Sequence, residues 1–394
     1  MSAVLPPLVE GYRDRKRYAW LLSLLVPAAI GAGPLLWWWW PHAAVLWLPL
    51  LIAYVLLPTL DLCAGEDSSN PPEEAVPALE RDRYYRAITW LLVPMLWLWI
   101  GYAAWFVSTV DLPWHGWLAV AWSTGLIGGF CINVGHELGH KREALERLLA
   151  KLVLAPTWYG HFTVEHNRGH HRDVATPEDS ASARLGESIW RFAWREWPGG
   201  LRRALVLESE RLARQGKPWW HLDNEIVQTA LISAALWLAL VLWLGVAVLP
   251  FLILSAAIAN FQLTSANYIE HYGIARRRLA DGRYEAVRPE HSWNSNHLVS
   301  NWALFHLQRH SDHHAHAARR YQSLRAFADV PALPTGYFGM FLLAYVPPLW
   351  FRVMNPRLLA AVNRDPSRIN FDPAQAARLR QRYGLKACAE TLDA

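Results

Sequence analysis

The sequence predicts an all-α integral-membrane protein with six transmembrane helices, and three observations predict it. Hydrophobic residues make up 53% of the 394 and charged residues only 18%. Charge is also segregated: no Lys or Arg occurs at 18–80, 87–140 or 218–275. Within those stretches lie six apolar runs long enough to span a hydrocarbon core, at 18–40, 43–60, 87–109, 113–135, 226–246 and 248–268. A single such run could be a buried helix of a large soluble protein, but six in series are not read that way.

Taken in order, the first span follows Arg13, Arg15, Lys16 and Arg17, and short flanks rich in Lys and Arg stay in the cytoplasm. Trp37 to Trp40 then fall at the outer interface, where indole rings are enriched. The connection at 61–86, with Gly65-Glu66-Asp67 and Asn70-Pro71-Pro72, reads as a turn-rich loop. Outer connections fall near 41–42, 110–112 and 247, and none carries a Lys or Arg, so every basic residue lies on the cytoplasmic side. The segment 136–225 is too long for a plain loop and is expected to fold on that face. Its portion 189–215 mixes Trp190, Phe192, Trp194, Trp197, Leu201 and Leu205 with arginines, as an amphipathic surface helix would. Residues 269–394 form the last cytoplasmic segment; the apolar stretch 337–351 contains Pro347-Pro348 and reads as interfacial or re-entrant. The whole, 1–394, is one membrane domain.

The net charge of +5 follows from this asymmetry, and nucleic acid need not be invoked. No cleavable signal peptide is expected, because the first apolar run is too long and lacks a small-residue cleavage site. Cys63, Cys131 and Cys388 form no Cys-x-x-Cys pair, so neither a zinc ribbon nor a rubredoxin-type iron site can be built from them.

Chemistry is concentrated in the histidines. Of the 17, 14 lie in two windows, 136–171 and 271–316, each starting where a span emerges on the cytoplasmic side. His136 and His140 in His-Glu-Leu-Gly-His-Lys are four apart and share a helical face, so both can reach one metal. The string also matches the zinc-protease pattern with Glu137 as general base. His166 and His170 in Glu165-His-Asn-Arg-Gly-His-His171 repeat the spacing, with His171 as a third nitrogen. His310, His313 and His314 in Leu307-Gln-Arg-His-Ser-Asp-His-His follow at i, i+3 and i+4, and His271 in Asn267-Tyr-Ile-Glu-His-Tyr-Gly273 makes nine candidates. Nine imidazoles exceed one ion's coordination and suit two; iron, copper, nickel and zinc all accept such ligands. Glu137, Glu165, Glu270 and Asp312 flank the candidates and are expected to orient the rings or to ligate directly. His161, His291, His297, His306 and His316 lie off the spacing and are expected in supporting or structural roles, and His42, His115 and His221 at interfaces.

These four histidine segments resemble the alkane 1-monooxygenase family of the membrane desaturase and hydroxylase superfamily, and Arg320-Tyr-Gln-Ser-Leu324 fits as well. The resemblance implies a six-helix bundle holding two iron ions at its cytoplasmic end, ligated by the nine histidines, in a bacterial inner membrane. It implies O2-dependent terminal hydroxylation of n-alkanes to 1-alkanols. Electrons would come from NAD(P)H through a reductase and rubredoxin, and since these residues lack the cysteines for a fused rubredoxin, that donor is either a separate protein or one cut from this chain. An alkane offers nothing to hydrogen-bond, so an apolar tunnel between spans is expected, with Trp47 or Tyr54 limiting chain length at its outer end. Three rivals are weighed against this reading. The nearest is hydroxylation of aromatic methyl groups or lipid desaturation at the same kind of site. An intramembrane zinc protease would need only His136, Glu137 and His140. A metal transporter would need polar paths that these spans lack.

Overall fold

The computed structural model describes residues 12–385. Among the described residues it is helical, and the only β pairing is isolated bridges such as Glu66 with His297. Five helices are long and apolar enough to cross a membrane: Ala43–Ala64, Arg83–Thr109, Trp114–Gly139, Glu225–Leu244 and Val246–His271. A sixth crossing exists if Tyr337–Ala344 and Pro347–Ala361, which meet at 119°, count as one broken span. The bend falls in the stretch expected to be interfacial or re-entrant, where the paired prolines have no amide hydrogen to continue the first helix.

The first expected span crosses as two pieces rather than one. Residues 18–40 do not form one helix but break at Ala32 into Ala19–Gly31 and Gly33–Trp37. Pro34 cannot donate back to the Ile30 carbonyl, and two flanking glycines weaken the helix further. The first piece extends about 20 Å, short of a hydrocarbon core of about 30 Å, and the second carries the chain on to the far end: Arg17 pairs with Asp82 at the start of Arg83–Thr109, while Trp38 Nε1 donates to the Tyr102 hydroxyl at 2.7 Å near its other end. The 61–86 connection is also more ordered than a plain loop, since Glu73–Ala75 and Val76–Arg81 are helical turns.

The other spans outrun their apolar cores because their ends are capped. The Asp82 carboxylate accepts from the Tyr84 amide at 2.8 Å, which starts Arg83–Thr109. The Asn224 amide oxygen accepts from Ile226 and Val227 at 2.9 and 3.2 Å and starts Glu225–Leu244. Trp114–Gly139 is the central helix: 78% of its apolar window is buried, against 17–39% in the other four. It lies against Val246–His271 along Gly125 and Gly128, where an added Cβ would come within 2.5 Å of Ile258 or Ala259. Only glycine permits that approach. Both helices end at the same end of the bundle, carrying His136 and His271 in their last turns.

The 136–225 segment folds over that end through Ala144–Leu154 and Ile189–Ala213. The second of these turns Trp190, Trp194, Leu201 and Leu205 outward and buries Phe192. Glu146, fully buried, accepts two bonds from Arg320 at 2.8 and 3.0 Å and a third from Arg86 at 3.2 Å. Next to Arg320, the Tyr321 hydroxyl donates to the Tyr85 carbonyl at 3.0 Å and Gln322 to the Leu79 carbonyl at 2.9 Å. These bonds tie the last histidine segment to the rest of the bundle. Cys63 is exposed and Cys131 buried, both unpaired, while Cys388 lies outside the described residues.

Candidate metal centre

Four segments bring all nine candidate histidines together at one end of the bundle. One group is His136, His140, His166 and His313; the other is His170, His271, His310 and His314, each with its ligand atoms within 4.8 Å of one another. His171 adjoins the first group, its Nε2 at 3.1 Å from His166 Nε2 and 3.0 Å from His313 Nε2.

The grouping departs from the expected i,i+4 pairing in one place. Residues His166–His170 form a π-helical turn. The wider turn stacks residue i on i+5, so His166 meets His171, and His170 swings into the other group. The His310–Ala315 helix is also shared, with His313 on one side and His310 and His314 on the other.

The residues fit a pair of bound cations. His313 Nε2 lies 3.0 Å from the Nε2 of both His136 and His171, and His310 Nε2 lies 3.0 Å from those of His271 and His314. A neutral imidazole nitrogen carries either one proton or one lone pair, and does not bond well to two others at once. Two metal–nitrogen bonds of about 2.1 Å at a right angle put their nitrogens about 3.0 Å apart. His140 Nε2 and His170 Nε2 are buried with no hydrogen-bond partner. The C-terminal ends of Trp114–Gly139 and Val246–His271 add partial negative charge that favours a cation.

Electrostatics prepare the ligands. His140, His166, His171, His310, His313 and His314 are held well below the usual histidine range by burial first and by neighbouring imidazoles second. They are therefore neutral at pH 7, as a ligand must be. His170 differs. Burial pulls it down, but the Asp179 carboxylate, 2.9 Å from its Nδ1, outweighs that and raises it. Asp179 also accepts from the Ser182 hydroxyl at 2.7 Å. An Nδ1–H donated to Asp179 leaves the Nε2 lone pair facing the centre. His271 Nδ1 faces the His291 carbonyl at 3.4 Å in the same manner.

The flanking carboxylates behave differently from one another. Glu137 turns away from the imidazoles, pairs with Lys141 at 2.9 Å and accepts from the Tyr321 amide at 3.4 Å. Asp312 is taken up by Arg319 and the Arg325 amide. Glu165 faces Arg203 at 3.1 Å, and burial, with Asp179 adding, pushes its carboxyl up to about 7. Only Glu270 reaches a candidate ring, with Oε2 3.5 Å from His310 Nε2 and Oε1 accepting from the Tyr337 hydroxyl at 2.9 Å. Asp179, which does orient a ring, carries no spacing signal nine residues along the chain. Asp179→Asn is expected to weaken metal retention about 10- to 100-fold, read by titration with a chelator.

Of the remaining histidines, His306 packs its ring on Trp20 and donates from Nδ1 to the Tyr321 carbonyl at 2.9 Å, and His42 and His221 accept from nearby amides through Nδ1. His291 reaches the site through its carbonyl alone.

An apolar cavity opens on the membrane-facing side of the centre. Its inner wall holds His136, His166, His310 and Glu270, and it runs between spans to Tyr54 and Phe341. Tyr54 lines it, with its hydroxyl accepting from Trp122 Nε1 at 2.9 Å. Trp47 does not; it is at the start of the same helix with an exposed ring.

A multi-pass membrane protein, helical throughout its described residues, with eight imidazoles in two groups that could each hold a metal ion and a ninth beside them, has the make-up of a histidine-box membrane metalloenzyme. The family model for fatty acid desaturase matches residues 112–344. Alkane 1-monooxygenase 1 of Alcanivorax borkumensis is 50% identical over 96% of this chain and 93% of its own. Alkane 1-monooxygenase of Pseudomonas putida is 50% identical over 97% and 95%. The xylene/toluene monooxygenase hydroxylase component XylM of Pseudomonas putida is 31% identical over 61% and 63%. The chain belongs to the alkane 1-monooxygenase family, and is an oxidoreductase of the monooxygenase type.

Proposed function

We propose that this protein hydroxylates the terminal methyl group of n-alkanes, using O2, two iron ions ligated by the nine histidines, and electrons from reduced rubredoxin. The observation that carries the substrate is the cavity: an apolar channel from the spans that ends on ligand histidines of both groups. It suits a molecule that offers no polar atom. The named activity of the relatives agrees. The overall reaction is RH + O2 + 2e⁻ + 2H⁺ → ROH + H2O. Iron, held by these histidines, would pass those electrons to O2 and supply Lewis acidity.

The chain's own share is positioning and exclusion. The alkane enters from the bilayer and lies along the channel with its methyl end at the His136, His166 and His310 wall. Each buried CH2 contributes about 0.8 kcal/mol, or about fourfold in affinity, until the channel ends. Phe162, stacked on His166 at a ring separation of 4.8 Å, walls the reacting end. Glu270, held by Tyr337, places a carboxylate beside it. The histidine end faces the cytoplasm of a bacterial inner membrane, where both termini and the donor lie.

Tyr54→Ala is expected to lengthen the preferred alkane by about two carbons or more, and Trp47→Ala to leave the preference alone, by competition among n-alkanes of mixed length. A protease reading is poorly served, since Glu137 is held by Lys141 away from the imidazoles.

The test is turnover in detergent with iron, NADH, rubredoxin, its reductase and mixed n-alkanes under 18O2. Labelled 1-alkanols establish the reaction. Labelled benzylic alcohols from xylene alone would transfer the proposal to aromatic methyl groups, and an unsaturated acyl product would replace hydroxylation by desaturation.

A further inference from the structure

Resting on that reading, the hydroxylation consumes two protons for each O2, and they must reach the apolar side of the centre. One buried acid there touches none of the candidate metal ligands. Glu196, on the Ile189–Ala213 helix, is 3% exposed and makes no ion pair. Its partners are neutral: the Thr264 hydroxyl donates to Oε2 at 2.7 Å, Asn267 Nδ2 to Oε1 at 3.2 Å, and the Tyr159 hydroxyl to Oε1 at 3.5 Å. Asn267 is itself part of the cavity wall, one helical turn before Glu270, so Glu196 is one side chain removed from the reacting space.

Beside it on the same helix lies a groove lined by Arg195, Gly199 and Ser180. Gly199 is one turn beyond Glu196, and a Cβ there would lie 2.9 Å from Ser180 Cβ. The Ser180 hydroxyl is buried with no hydrogen-bond partner. Glu196 thus stands between groove residues of its own helix, Arg195 and Gly199, and the cavity residue Asn267 that it bonds, with the unpartnered Ser180 hydroxyl beside Gly199, an arrangement that can pass protons. We propose that Glu196 relays protons from the groove, past Ser180, to the Asn267 and Glu270 side of the cavity during O2 reduction.

The carboxyl's surroundings suit the task. Burial pushes it up to about 7, Thr264 and Asn267 and the more distant Arg195 pull it down, and Asp179 adds to the rise, with Tyr159 and Glu165 also near. A group near neutrality both gives and regains a proton at working pH. Glu196 gives its proton to the cavity and regains one from the groove, so two passages serve each turnover.

The test compares iron-loaded wild type with Glu196→Gln and Glu196→Asp. Glu196→Gln is expected to keep iron content and alkane KM while kcat falls about 10- to 100-fold. Its solvent deuterium isotope effect should rise, more reduced donor should be consumed per alkanol, and the wild-type decline in kcat above neutrality should vanish. Glu196→Asp should restore part of the rate and that decline. Unchanged kcat, isotope effect and pH profile in Glu196→Gln would overturn the relay, because a purely structural carboxamide keeps this packing. If Glu196→Gln does not fold, Ser180→Ala carries the test: about a threefold loss with a raised isotope effect supports the relay, and wild-type behaviour overturns it. Failure of wild type to make any alkanol would count against the proposed function, whereas a wild type as active as its variants would count against the relay alone.

Discussion

With the proposed two iron ions per chain, His310→Ala is expected to abolish alkanol formation and to lower bound iron to about one ion. His310 Nε2 is where the second group meets, 3.0 Å from both His271 and His314 and 3.5 Å from Glu270. Its removal leaves His170, His271 and His314 on an unfinished site. The first group contains none of these residues and keeps its five nitrogens, counting His171. Elemental analysis of the purified variant beside its product yield reads both effects. The control is His42→Ala, at an exposed ring that caps a turn through the Ala44 amide and should behave as wild type. Full iron with full activity in His310→Ala would remove His310 from the ligand set.

Glu146→Ala is expected to cost about 3–5 kcal/mol of stability, because a buried arginine is left without its main partner. Arg320 is 7% exposed, and its other carboxylate, Glu143, has a side chain 45% exposed and so mostly solvated. The loss should appear as a lower midpoint of unfolding in detergent. Replacing both partners, as Glu146→Leu with Arg320→Met, should recover much of it, since a buried pair exchanged for apolar side chains is often near neutral. A change below ~1 kcal/mol in Glu146→Ala would mean that the pair does not anchor the last histidine segment.

What could be read from the chain beforehand follows from which interactions are local. Apolar runs and helical spacing are local, so most spans and all nine imidazoles were visible as a pattern. The break at Ala32 was legible too, in Gly31, Gly33 and Pro34, but composition masked it because the run stayed apolar across the break. The distribution of histidines between the two groups was not legible. It depends on a π turn that separates His166 from His170, and four-residue spacing suggests the opposite. Carboxylates next to a ligand in sequence were poor guides to ring partners: Glu137 and Asp312 are claimed by Lys141 and Arg319, while Asp179 arrives from a separate loop. Glu196 has no motif at all, and its meaning lies wholly in what Thr264 and Asn267 bring to it.

The contact of Trp114–Gly139 with Val246–His271 at Gly125 and Gly128 has an evolutionary consequence. The separation of the helix ends bearing His136 and His271 is fixed about 12–20 Å away from those ligands, roughly two to four turns down the bundle. Drift at these glycines would therefore be purged as strictly as drift at a histidine. A lineage could retain every imidazole and still lose the enzyme by gaining one methyl group in the middle of the membrane.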